Sequence, residues 1–253
     1  MRLLQAEKRK VSGFTLVEMA IVLVIIGIIL AGVMKGRDIV RGSQVKQFSQ
    51  GYAQKWVTIA STYYDKVGQH FMDGQDNGNS VVSSPNGEMD DVILASADAN
   101  YSAASRATGL QALRNVGITP CTMIKSDLNN DAATTSCDNG YNIWERTVEG
   151  EWSGKSTVGV AFFNFLVNNA RRNCVVIGGV PVDVAIGLDT LIDGQADGEN
   201  GLCLNMSNYA TAFNPGDWQD ITDPGGTTSL SLYRWPDQDE AAKLANVVLV
   251  LDF

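Results

Sequence analysis

One carboxylate of this 253-residue chain stands where carboxylates are costly. Glu18 lies inside residues 14–34, a run of 21 residues otherwise apolar except for Thr15. A charged group within an apolar span is unfavourable unless it finds a partner. A small residue, Gly13, stands just before the run, after a basic segment holding Arg2, Lys8, Arg9 and Lys10. A cut after Gly13 would leave an ammonium on Phe14, one helical turn from Glu18. The Glu18 of a neighbouring copy could neutralise that ammonium in a staggered bundle; the alternative is a carboxylate that reaches back to water from the interface. An ordinary export signal places its small-residue cleavage site after the apolar stretch. Here the small residue comes first, and Lys35-Gly36-Arg37-Asp38 follow the stretch. A cut at Gly13 would therefore keep the apolar helix in the mature chain.

Other residues offer less. The four cysteines, Cys121, Cys137, Cys174 and Cys203, include no C-x-x-C pair, and His70 is the only histidine. A zinc site is poorly supported on that basis. An even count in a chain that crosses a membrane favours disulfides in an oxidising compartment. Pairing of neighbours, Cys121–Cys137 and Cys174–Cys203, is the expectation, against the plainer one of four buried thiols. Two acidic loops carry calcium-like spacing. Asp127, Asn129 and Asp131 with Asp138 at the twelfth position follow an EF-type pattern, but Ala132 occupies the place of the turn glycine. Asp193, Gln195, Asp197, Gly198 and Glu199 form the second, with Leu204 where a bidentate acid belongs. Calcium (Ca2+) is thus the one candidate cofactor, and solvated loop acids are the plainer account of both loops. No G-x-S-x-G, G-x-G-x-x-G or P-loop occurs, so a membrane-tethered enzyme is poorly supported. His70 is expected at the surface where the first helix ends.

The elements that must position these residues follow from spacing. Residues 14–34 are long enough to span a bilayer as a helix at about 1.5 Å per residue. Basic residues before the run orient its start to the cytoplasm and the remainder outside. No proline occurs before Pro85, and Val45, Phe48, Tyr52, Trp56, Ile59 and Tyr63 recur at steps of three and four. One long helix to about Val67 is predicted, its aromatic stripe turned to a core. Residues 68–91, rich in Gly, Asn, Asp and Ser, read as a loop. A short helix is predicted over 103–116 and another over 182–192, stopping at Asp193-Gly194. Strands are predicted over 141–148, 157–165, 174–177, 201–205, 229–235 and 246–252. The fold class is therefore α+β: a long N-terminal helix, transmembrane in its first half, packed on a C-terminal antiparallel sheet domain. The expected organisation is a leader over 1–13, the helix over 14–67 and a globular domain over 68–253.

The order Gly13-Phe14-Thr15-Leu16-Val17-Glu18, with its basic leader and following apolar run, resembles the processing signature of type IV prepilins and type II secretion pseudopilins. The resemblance implies cleavage between Gly13 and Phe14 by a prepilin peptidase, N-methylation of Phe14, and a role for Glu18 in subunit registration. It implies other pilin-like subunits and an inner-membrane assembly platform as partners, with the domain in the periplasm or on a filament. Lys35 stands where many pilins carry a helix-kinking proline. Residues 188–201 also look like a helix-to-strand turn of some pilin-like proteins. An adhesin or tip subunit is the alternative role.

Charge narrows the field further. The formal net charge is −9, and loss of residues 1–13 would make it −12. Such a surface repels a phosphate backbone, so direct nucleic-acid binding is not expected.

Overall fold

The computed structural model describes residues 15–80, 84–90, 92–94, 102–124, 143–207, 230–236 and 243–253. The chain divides into two compact units, Met1–Ser43 and Gln44–Phe253. The helical residues from Gln44 onward fall in the second unit.

In the first unit, the described residues are helical from Leu16, in α1 (Leu16–Phe48). From Leu16 to Val40 its apolar side chains are exposed, Leu16 at 91% and Met34 at 70%. This is the one helix among the described residues long and apolar enough to cross a membrane.

In the second unit, a π-helical turn (Ser49–Ala53) joins the end of α1 to α2 (Gln54–Val67). The predicted stripe is the core: Phe48, Tyr52, Trp56, Ile59 and Tyr63 are buried on the helix. Trp56 stacks on Trp144 with ring centroids 5.0 Å apart and meets Phe162 edge-on at 5.8 Å. Tyr52 Oη donates to the Trp144 carbonyl at 2.6 Å, so the ring's polar tip is satisfied inside the core. Gly68 ends α2 in the left-handed region, φ 76°, its N–H bonded to Tyr64 O.

Among the described residues, six strands form one antiparallel sheet: β1 (Val92–Ile93), β2 (Glu145–Gly150), β3 (Gly154–Val167), β4 (Ala170–Pro181), β5 (Cys203–Asn205) and β6 (Leu244–Val250). Their order is β1-β3-β4-β6-β5, with β2 also paired to β3. The β3–β4 hairpin turns at Asn168 and Asn169, both at positive φ, the conformation a two-residue loop requires and asparagine tolerates. Helices α3 (Ser102–Asn115), α4 (Pro120–Met123) and α5 (Val182–Asp193) complete the unit. One sheet face, with Val160, Phe162 and Val175, joins the helical core. The other, with Phe163, Phe165, Cys174, Val176 and Val248, is covered by Met206, Leu230 and Leu232.

One expectation fails here for a physical reason. Residues 230–236 form no strand. They make a strap: Leu230 N–H bonds Leu166 O on β3 at 3.0 Å and Tyr233 N–H bonds Asn205 O on β5 at 2.9 Å. Those strands are separated by β4 and β6, so the strap crosses the sheet. The segment after α2 is a loop, as its composition predicts, and part of it enters the core. Phe71, Met72 and Met89 are buried. Asp73 accepts the N–H groups of Asn86 and Gly87 at 2.7 and 2.9 Å, and Tyr63 Oη donates to Asn77 Oδ1 at 2.9 Å.

Candidate functional site

Gly13 and Phe14, the expected processing junction, lie outside the described residues. The site can be followed from Thr15. Glu18 Oε2 accepts both the Thr15 N–H and the Thr15 hydroxyl at 2.8 Å, and the Glu18 N–H donates to Thr15 Oγ1 at 3.3 Å. This is a reciprocal capping box. Thr15 satisfies an N–H that the first helical turn leaves without a partner, and Glu18 closes back on the residue before the helix. The carboxylate is held at the positive end of the helix dipole. Thr15 was not singled out from the sequence, although a Thr followed three residues later by Glu before an apolar run is the signal for it. Within a single chain, Glu18 is thus already fixed in position at the head of an exposed apolar helix.

A second organised group lies at the end of α5. Asp193 accepts the N–H groups of Leu202 at 3.0 Å and Cys203 at 2.8 Å. Asp197 accepts those of Glu199 and Asn200, each at 2.9 Å. The two acids therefore shape different parts of the 194–202 loop, and their oxygens are occupied by N–H donors. Among the described residues, no three His, Cys, Asp or Glu side chains stand together as a metal-holding group. Asp127, Asn129, Asp131 and Asp138 lie outside the described residues. Gly201 allows the loop to close: it has φ 97°, and a Cβ there would overlap the Asp193 carboxylate.

Asp189, unremarked in the sequence reading, is fully buried. Its Oδ2 accepts Trp235 Nε1–H from the strap at 2.6 Å and the Gly198 N–H at 3.1 Å. Burial, only partly offset by these two bonds, pushes its pKa up to about 6. The spacing signal existed: Val182, Ala185 and Asp189 fall on one helical face, and the first two are core residues.

His70 is buried and not at the surface. Its ring stacks on Tyr64 at 4.7 Å and lies 6.0 Å from Phe253. Burial lowers its pKa.

The cysteine expectation is half corrected. Cys174 and Cys203 are free and buried. Cys174 is opposite Val250 and Cys203 opposite Leu249, on the two sides of β6. Adjacent residues of a strand point to opposite faces, so the thiols sit in different cores. Two strand spacings put their Cα atoms about 9–10 Å apart, past the roughly 7 Å limit for a bridge. Burial raises the pKa of Cys174 to about 12 and that of Cys203 further, which leaves both thiols unreactive. Cys121 is half-buried on α4, and its expected partner Cys137 lies outside the described residues.

No curated protein and no solved structure matches the chain. A family model does: residues 8–34 match the one described as the prokaryotic N-terminal methylation motif. The motif points to a structural protein. With its apolar helix α1 and capped Glu18, the chain carries the hallmark of type IV pilin and pseudopilin precursors.

Proposed function

We propose that this chain is the precursor of a structural subunit of a type IV pilus or pseudopilus. It is cut between Gly13 and Phe14 by a prepilin peptidase, methylated on the new N-terminus and assembled through α1. The Glu18 of one copy then meets the Phe14 ammonium of a neighbour. Support comes chiefly from one observation: the sole carboxylate of the apolar span is held at the helix start, inside the matched motif. In this reading the chain is a single-pass protein of the bacterial inner membrane, with the globular unit in the periplasm before assembly. Its partners are other pilin-like subunits and the inner-membrane assembly platform. Mass spectrometry of the mature N-terminus tests it. The expected result is a first peptide starting at methylated Phe14; an intact Met1, or a cut after residue 34, overturns the reading.

Export also implies a bridge between Cys121 and Cys137, the only pair left once Cys174 and Cys203 are separated by the sheet. Thiol counting in the denatured, unreduced chain should then find two reactive groups. Four would remove the bridge from the account.

A further inference from the structure

Two features stand at opposite ends of β3, and neither the motif nor the core accounts for them. The first is Trp152 in the β2–β3 turn. It is 61% exposed, more than any other large apolar side chain among the described residues of the second unit. An indole is usually well buried, and indoles anchor many protein contacts. The turn that carries it is pinned to the start of α5. The Glu151 N–H donates to Asp183 Oδ2 at 3.1 Å, and a Cβ on Gly150 would overlap Pro181 and Asp183. Glu149 and Glu151 precede the indole in the same turn region.

The second is a cleft of about 500 Å³ at the other end of β3, where Asn164 is opposite Asn173 on β4. Its floor is a fixed amide network. Asn173 Oδ1 accepts the Met89 N–H at 3.0 Å and an Asn164 Nδ2–H at 2.7 Å, and Asn173 Nδ2 donates to Gly87 O at 3.3 Å. Arg171 and Arg172 also line it, bonded to Glu88 at 3.2 Å and Asp252 at 3.3 Å. The exposed ring of Phe253 completes the lining. Guanidinium groups and an aromatic ring are surfaces on which an indole stacks. The Arg172–Asp252 pair is solvent-exposed, so exchanging Asp252 for a carboxylate of another chain costs little.

We propose, resting on the pilin-like filament reading, that the cleft receives Trp152 of a second copy of this chain, with the Glu149 and Glu151 edge of that copy against Arg172. A chain cannot fill its own cleft. Ten steps of β3 separate Gly154 from Asn164, about 33 Å at the usual strand rise. The contact therefore joins two different surfaces. Repeated from copy to copy, it leaves one knob and one cleft open at the ends, and it grows an open array unless the rotation closes a ring. The charge complementarity favours this occupant over a sugar or a free anion, either of which would leave the exposed indole without a role.

Cross-linking in sheared filaments tests the contact. Lys155→Cys and Asp252→Cys place thiols beside the knob and the cleft and keep Trp152, both glutamates and Arg172. With a short bismaleimide, the double variant should give a ladder of dimers, trimers and higher oligomers. Filaments mixed from the two single variants should stop at dimers, and either single variant alone should give none. Filaments without a ladder overturn the contact and leave the subunit reading in place. A cross-link to a chain of different mass also overturns it, because it seats another subunit at the knob. A wild-type chain that is processed but forms no filament overturns both. Trp152→Ala should lower sheared filament about tenfold at equal membrane levels, with the unfolding midpoint of the chain unchanged. An unchanged filament yield overturns the proposal.

Discussion

Glu18→Ala is expected to abolish filament assembly while the Gln44–Phe253 unit stays folded. The substitution removes the carboxylate of the capping box and the proposed partner of the Phe14 ammonium together. Breaking one side of a desolvated ion pair strands the other charge, and sheared filament should fall by about a hundredfold or more at equal membrane levels of the chain. Two further variants separate the roles. Glu18→Gln can still close a capping box but cannot neutralise an ammonium. Thr15→Ala removes the hydroxyl from the box and leaves the carboxylate. If charge pairing governs assembly, Glu18→Gln fails and Thr15→Ala assembles. The reverse outcome would assign Glu18 a capping role and remove the pairing from the mechanism. Electron microscopy of sheared fractions, with immunoblots of the membrane fraction as the reference, reads all three.

Trp56→Ala should give the largest loss of stability in the globular unit. The indole is fully buried, stacked on Trp144 and edge-on to Phe162, so it joins the helix to the sheet at the centre of the core. Its truncation leaves a cavity that the flat face of Trp144 cannot fill by rotamer change, and the expected cost is about 3–5 kcal/mol. Trp56→Phe keeps a ring in the stack and should cost less than half as much. Urea unfolding of the full chain in detergent, followed by far-UV circular dichroism, checks both. A loss under 1 kcal/mol for the alanine variant would mean that the helix is held mainly elsewhere.

Much of this architecture was legible because it depends on local spacing. The steps of three and four from Val45 to Tyr63 located the buried face of the helix, and Gly68 and Gly194 marked helix ends with left-handed backbone. Runs of β-branched residues located β3, β4 and β6, although each strand is longer than its apolar centre. What escaped depended on distant partners. The strap has a strand-like composition, but it lies across the sheet and takes its bonds from β3 and β5. The segment after α2 has a loop's composition, yet its polar side chains bond its own backbone and let Phe71 and Met72 enter the core. His70 was misplaced for the same reason, since Tyr64 and Phe253 come together around it only in the fold. At the candidate site, the motif and Glu18 were readable and the capping box could have been. The separation of Cys174 from Cys203 could not, because it depends on which residue of β6 each strand faces.

That separation sets an order of events for a chain exported in the reduced state. Before the sheet forms, nothing insulates the two thiols from one another, and their oxidation would tie together residues that the native register places on opposite sides of a wall. A chain so tied could not complete β4, β5 and β6. If the chain is exported as proposed, it reaches the native register only with both of these sulfurs reduced, and the folded chain keeps Cys174 and Cys203 as two free thiols.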